Sequence, residues 1–295
     1  MLKLRDGIVE LYTKVATSIP SDVEDALRQT YTSETTGSEV DRGSGCLIVI
    51  IDNVKKSRTT RKPLCRDVGI PVFWVQMPQG LDRQQITDAI VEGSRQAVLK
   101  LRSRPSDSGE SGIDAAEVNT TAVNPVIYFE DSDKSSLVID MLLKNTDCQP
   151  STEVQGSFVI ALKPAADGGV NTEDYHNEIR DIVVDTVKKA KKSVCVPYTV
   201  GVGLGSQGDD VAMLSKKQLL RRLTDINPTT QELERKILED LNVLDATTPG
   251  STSETTALGV KIGGSFLGSF SGPASLVVNV SICCWANRRG RLIWG

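Results

Sequence analysis

Apolar residues recur at helical spacing in three stretches. Ile86, Ala89, Ile90, Ala97 and Leu101 form one stripe, and Ile179, Ile182, Val183, Thr186, Val187 and Ala190 a second; Leu233, Ile237, Leu241 and Leu244 form a third. Spacings of three and four put such side chains on one helix face. Ser21 with Glu24, and Thr229 with Glu232 after Pro228, have the separation of a capping box, in which hydroxyl and carboxylate satisfy the first amides of a helix. Lysines from 188 to 192 follow the second stripe, where cations suit the negative helix end. Shorter apolar runs at 72–75, 126–130, 137–143, 158–162, 200–204 and 276–282 predict strands. The run 47–51 is rich in β-branched residues, yet Leu47, Ile50, Ile51 and Val54 repeat helically, so it predicts a helix. The elements intermix without strict βαβ order, which gives an α/β (mixed α+β) class. Polar stretches at 103–117 and 247–256 read as loops. The first, with Pro105, Gly109 and Gly112, is the expected lobe boundary within one domain over 1–295.

Charge narrows the partners. A net charge of −4 argues against a nucleic-acid binder, whose phosphate contacts need a basic face. No apolar run approaches the roughly 18–20 residues that span a bilayer, and the Met1-Leu2-Lys3-Leu4-Arg5-Asp6 start lacks a signal's apolar stretch. A cytoplasmic protein is expected. The single histidine, His176, disfavours a multi-histidine zinc site or a Ser-His-Asp hydrolase.

Six cysteines in a reducing compartment are free, catalytic or metal-bound. None forms a CxxC pair, so zinc-ribbon and ferredoxin ligation gain no local support. Cys65 precedes a strand, Cys195 precedes the Gly-rich strand, and Cys284 ends an apolar strand. From spacing alone, each also reads as a small buried hydrophobe. The glycines from 201 to 208 lack both a P-loop Lys-Ser/Thr and a Rossmann GxGxxG, so close packing near the Cys195 turn is the better reading than nucleotide binding.

The strings around these cysteines resemble the α-subunit, or N-terminal domain, of the class I iron–sulfur fumarase and tartrate dehydratase family. Pro63-Leu64-Cys65-Arg66-Asp67-Val68-Gly69 resembles the family's P-[IL]-C-Q-D-T-G. Cys195-Val196-Pro197 and then Gly201-Val202-Gly203-Leu204-Gly205-Ser206 resemble C-P-P and G-V-G-I-G-G. Ser215-Lys216-Lys217-Gln218-Leu219-Leu220-Arg221, Glu232-Leu233-Glu234, Asn242-Val243-Leu244-Asp245 and Thr255-Thr256-Ala257-Leu258-Gly259-Val260 follow in family order. Pro273-Ala274-Ser275-Leu276 and Cys284-Trp285-Ala286-Asn287-Arg288-Arg289 close the series.

The resemblance implies an iron–sulfur fumarase α-subunit-like fold. It implies a [4Fe-4S] cluster on Cys65, Cys195 and Cys284, whose fourth iron binds substrate as a Lewis acid. The implied reaction is reversible dehydration of a hydroxy acid related to malate or tartrate. Asp67 would orient substrate or assist proton transfer, though a turn-capping role before Gly69 is equally open. A separate β-type subunit would supply the proton abstractor, in an α2β2 assembly. Cys283 would face the other side of its strand, and Cys46 and Cys148 read as buried hydrophobes.

Departures gather where the family handles substrate. Its K-G-G-G-S-E-N loop becomes Gln149-Pro150-Ser151-Thr152-Glu153-Val154-Gln155, without the glycines that let amides approach an anion. Its N-T-G-D-N-T-P-A-V-I-H string becomes Asn119-Thr120-Thr121-Ala122-Val123-Asn124-Pro125-Val126-Ile127-Tyr128-Phe129, losing an acid, an amide and a histidine. Glu254 stands for an arginine, and Gly272-Pro273 for a histidine. A dicarboxylate needs clamps at both ends, so a different hydroxy acid fits better than fumarate. A non-catalytic paralogue that keeps the fold is the alternative.

Overall fold

The computed structural model describes residues 2–36, 44–65, 69–102, 124–144, 157–161, 172–190, 195–246, 255–264 and 275–295. The chain runs α1 (Leu2–Thr17), α2 (Ser21–Thr36), α3 (Ser44–Thr60), β1 (Ile70–Pro78), α4 (Arg83–Arg102), β2 (Val126–Ser132), β3 (Leu137–Lys144), β4 (Ser157–Ala161) and α5 (Thr172–Ala190). It continues through β5 (Tyr198–Gly205), α6 (Gly208–Gln218), α7 (Gln231–Ala246), β6 (Ala257–Gly264), β7 (Ser275–Cys283) and β8 (Arg289–Trp294). The architecture is mixed α/β, and all six strands expected from the apolar runs are present. Met1–Pro20, Ile50–Thr146 and Arg288–Gly295 form one compact unit; Ser21–Val49 and Asp147–Asn287 form the other.

The first unit holds the sheet β2-β1-β3-β8. β1 pairs parallel with β2 and antiparallel with β3, which pairs antiparallel with β8. One face carries Phe73, Val75, Ile139, Met141 and Leu143 into a core with Leu4, Ile8 and Tyr12 of α1 and with Ile86 and Ile90 of α4. The α4 stripe read from sequence is therefore its buried face. Gly93 brings the two helices close, since a Cβ there would sit 2.8 Å from Ile8 Cβ and 2.9 Å from Arg5 O. On the opposite face Trp74 stacks on Tyr128, ring centroids 5.6 Å apart.

The second unit holds the sheet β4-β7-β5-β6. β5 pairs parallel with β6 and antiparallel with β7, and β4 pairs antiparallel with β7. Helix α6 lies against β5 and β7. It comes so near that a Cβ at Gly201 would overlap the Ser215 carbonyl, and one at Gly203 would overlap the Val211 carbonyl. The Gly-rich strand thus serves close helix packing, as its sequence suggests. Ser215 Oγ fills the remaining gap, 2.7 Å from Asn279 Oδ1 and 2.8 Å from Ser281 Oγ.

Several features differ from the sequence reading. α1, β6 and β8 are additional elements. α7 begins at Gln231, and the hydroxyl that meets a helix glutamate is Thr230 Oγ1, 3.0 Å from Glu234 Oε1, rather than that of Thr229. The run 47–51 lies in α3, as its helical repeat predicts. Cys46 is half-buried rather than buried. The loop at 103–117, residues 247–254 and Cys148 lie outside the described residues. No helix among the described residues is long and apolar enough to cross a membrane.

Candidate functional site

The α3–β1 connection carries Cys65. Leu64 N–H donates to Ala16 O at 2.9 Å, and Asn53 Nδ2 donates to Leu64 O at 3.2 Å. Ser57 Oγ, buried, lies 3.1 Å from Thr17 O and also meets Lys62 O. These bonds fix the segment just before the cysteine, which is half-buried. Asp67 lies outside the described residues. Gly69 follows with φ +83, and a Cβ there would stand 2.8 Å from both Lys144 O and an Arg288 guanidinium nitrogen. Only glycine takes that backbone without strain while leaving room for the arginine. Arg288 is itself buried, and its carbonyl accepts from Leu143 N–H at 2.8 Å.

Cys195 and Cys284 lie at one end of the second sheet. Thr199 of β5 pairs with Cys283 of β7, so Tyr198 and Cys284 occupy the next positions outward. Cys195 stands three residues before Tyr198, beyond the cis Val196–Pro197 bond. Cys195 is exposed, whereas Cys283 and Cys284 are buried. After Cys284 the chain turns sharply, with Asn287 N–H donating to Cys284 O at 3.0 Å. The structure therefore brings two of the three sequence-derived thiols to one sheet end and sets Cys65 in the other unit. Among the described residues no group of three or more His, Cys, Asp or Glu forms a metal site.

Other recurrent strings prove to hold the fold. Glu234 Oε1 accepts from Arg221 at 3.0 Å, Thr230 Oγ1 at 3.0 Å and Ile262 N–H at 2.8 Å. The buried Lys261 ammonium donates to Asp225 O at 2.7 Å and stands 3.7 Å from Glu234 Oε2. Burial pushes the Lys261 amine below its ordinary value, with Glu234 opposing that shift. Asn242 Oδ1 accepts from Thr256 N–H at 3.0 Å and Ala257 N–H at 2.9 Å, and Nδ2 donates to Ala257 O at 3.2 Å. These motif side chains anchor β6. Of the lysines after the α5 stripe, Lys188 and Lys189 are exposed at the helix end, where Lys189 pairs with Asp185 at 2.6 Å; Lys191 and Lys192 lie outside the described residues.

Sequence reasoning missed one polar group at the site. Asn287 is 0% exposed, and neither its Oδ1 nor its Nδ2 has a hydrogen-bond partner among the described residues. Its position in the Cys-Trp-Ala-Asn string gives no local signal, because only the folded turn buries it. A surface cleft of about 420 Å³ between α1 and α4, lined by Leu2, Arg5, Gln85, Asp88, Ala89 and Glu92, contains none of the sequence-derived site residues.

Two sheets of mixed pairing, with a glycine strand given to helix packing, describe a mixed α/β protein. The family model for fumarate hydratase (fumerase) matches residues 5–292, and the chain belongs to that family. It is 31% identical over 295 residues to a Geobacillus stearothermophilus protein named for class I fumarate hydratase, covering 98% of this chain and 54% of that protein. The chain thus spans about half the length of that relative. A Methanocaldococcus jannaschii protein named for L(+)-tartrate dehydratase subunit alpha is 28% identical, covering 98% of this chain and 96% of its own length. The Escherichia coli K12 L(+)-tartrate dehydratase subunit alpha is 26% identical over 99% of this chain and 90% of its own.

Proposed function

We propose that this chain is the α-type part of an iron–sulfur-dependent hydro-lyase, adding or removing water across a carbon–carbon bond beside a carboxylate. The observation that carries the reading is the match to the fumarate hydratase family from residue 5 to 292, and the β5–β7 pairing supports it by setting Cys284 just past β7 at the sheet end where β5 begins, three residues after Cys195. Thiolates suit iron, and Cys65, Cys195 and Cys284 are the donors that would hold a [4Fe-4S] cluster. The donor chemistry fits, and the buried unmatched amide of Asn287 beside Cys284 supports a group bound there. When bound, the cluster supplies a Lewis-acidic iron with an open position for a substrate hydroxyl.

The chain's own residues have distinct tasks in this reading. Gly201 and Gly203 seat α6 on β5, which holds the strand that follows the Cys195 turn. The bonds at Leu64 and Asn53 fix the backbone before Cys65. Asp67 holds substrate or relays a proton. The subunit alpha names of two relatives support a separate β-type subunit. In this reading that subunit contributes the base, in an α2β2 assembly in the cytoplasm. The substrate is a hydroxy acid or its unsaturated counterpart. Loss of glycines at 149–155 and the change to Glu254 point away from fumarate itself.

The test is to combine the iron-loaded chain with its β-type partner without oxygen and follow by absorbance the C=C bond formed from L-malate and the 2-oxo acid to which the enol formed from L-tartrate tautomerises. Turnover of one of these hydroxy acids is expected, and Asp67→Asn should lower kcat by about 10²-fold or more. The Glu254 and Gly272-Pro273 changes favour one second reading, a cluster-bearing subunit without catalysis. An iron-loaded complex that turns over no hydroxy acid would select it.

A further inference from the structure

The end of α3 and the segment that returns from it concentrate positive charge. Residues 52–65 hold five cations, Lys55, Lys56, Arg58, Arg61 and Lys62, and one carboxylate, Asp52, in a chain whose net charge is −4. All lie in the first unit, and each of the cations but the half-buried Lys62 is exposed. Two bonds fold the return segment back along the helix: Ser57 Oγ meets Lys62 O, and Asn53 Nδ2 donates to Leu64 O at 3.2 Å. The half-buried Cys65 therefore stands beside the last two turns of α3, a stretch of roughly 11 Å, rather than beyond them. Lys56, three residues after Asn53, lies on the helix side that meets this segment. Charges so placed act on the surroundings of the thiol in dilute salt, where screening extends over about 30 Å at ~0.01 M.

Helix-end electrostatics account for only part of this patch. Lys55 pairs with Asp52 at 3.1 Å, and Arg58 sits in the last turn, where a cation offsets the helix dipole. Arg61 follows the helix with a φ of +53, the left-handed position that glycine takes without strain and arginine does not. Strain retained at an exposed cation points to a task for its side chain. The sign of the patch suits a carboxylate. We propose that Lys56, Arg61 and Lys62 form an anion-drawing surface that concentrates the hydroxy-acid substrate at Cys65, acting on encounter and not on the chemical step. The identity of the anion rests on the hydro-lyase reading; the field itself does not.

The field is read on the iron-free full chain with anionic iodoacetate and neutral iodoacetamide offered together, peptide masses giving the ratio of the two adducts at Cys65. A change in thiolate fraction affects both reagents alike, so the ratio reports the local potential. At ~0.01 M salt Cys65 should favour iodoacetate about fivefold relative to a neutral cysteine amide, and the excess should vanish at ~1 M. Arg61→Gly should melt at the same temperature or higher yet lower the ratio about twofold. Adding Lys56→Gln and Lys62→Gln should take away most of the excess. In the iron-loaded complex with the β-type partner, kcat/KM for the acid turned over should fall severalfold with added salt in wild type and much less in the triple variant. No excess at Cys65, an excess that the triple variant keeps in full, or a Cys65 that neither reagent reaches overturns the proposal. An excess at Cys65 with kcat/KM indifferent to salt overturns it as well. An excess in a complex that turns over no hydroxy acid overturns the hydro-lyase reading and the substrate role together, and leaves only the field.

Discussion

The two sheets share one pairing plan filled by different chemistry. In each, a central strand leads through helix to a parallel neighbour and then to an antiparallel strand on its other side: β1 to β2 and β3, and β5 to β6 and β7. A fourth strand pairs antiparallel with the third, β8 after it in the chain on β3 and β4 from before β5 on β7. No sequence repeat accompanies this shared plan. In the first sheet the helix-facing side of the central strand carries Phe73 and Val75. In the second it carries Gly201 and Gly203, and α6 approaches the bare backbone. One plan is thus filled by side chains in one place and by helix backbone in the other. Each central strand follows a candidate thiol, Cys65 before β1 and Cys195 before β5.

The sharpest way to break this comparison is to change the two central strands in opposite directions. Gly203→Ala adds one carbon against the Val211 carbonyl and 2.8 Å from Ser215 N, atoms that no rotamer can move. We expect a loss beyond about 4 kcal/mol, read as insoluble protein or collapse of the denaturant midpoint. Phe73→Ala in β1 removes a whole buried ring and should cost about 3–5 kcal/mol in the same denaturant series. A Gly203→Ala protein as stable as wild type would end the claim of backbone contact.

The ion pairs sharpen the contrast further. Glu234 is 7% exposed and accepts from three partners beside the buried Lys261. Glu234→Gln leaves Lys261 and Arg221 without their countercharge and should cost about 3 kcal/mol by denaturant unfolding. In the first sheet Arg291 meets Asp140 through two bonds, at 2.6 and 2.9 Å, but its side chain is 59% exposed. Arg291→Ala should cost about 1 kcal/mol or less and lose its effect at high salt.

Much of this was legible in the sequence because local pattern and burial coincide. The stripes of α4, α5 and α7 and the apolar runs of six strands needed no tertiary knowledge. α1 carried the same signal, with Leu4, Ile8, Leu11 and Val15 at helical spacing and buried. β6 was hidden because Gly259, Gly263 and Gly264 weaken a strand signal and Lys261 reads as exposed, although its ammonium is buried against a carbonyl and a carboxylate. β8 was hidden because Arg289, Gly290 and Arg291 interrupt its apolar pattern. At the site, the thiols stood out by chemistry. Asn287 did not, since burial and a left-handed φ belong to the fold.

The smallest expected effect is a pH dependence in the second unit. Burial, and then the nearby Lys236 charge, hold the half-buried His176 below its ordinary value. The folded pKa lies under the unfolded one of about 6.5, so protons favour the unfolded chain. Stability from this group is complete above that value and falls as pH drops from there toward the folded pKa. His176→Gln should flatten that slope in melting curves taken across the window, with the rest of the profile unchanged.

The central claim is that three dispersed cysteines hold one cluster, and iron and sulfide analysis of anaerobically reconstituted protein tests it most directly. Wild type, Cys283→Ala and Cys46→Ala should each carry about four irons per chain. Cys65→Ala, Cys195→Ala and Cys284→Ala should each lose the cluster and its brown absorbance while remaining folded. Wild type without iron, or a cluster that survives Cys284→Ala and disappears in Cys283→Ala, would contradict the account.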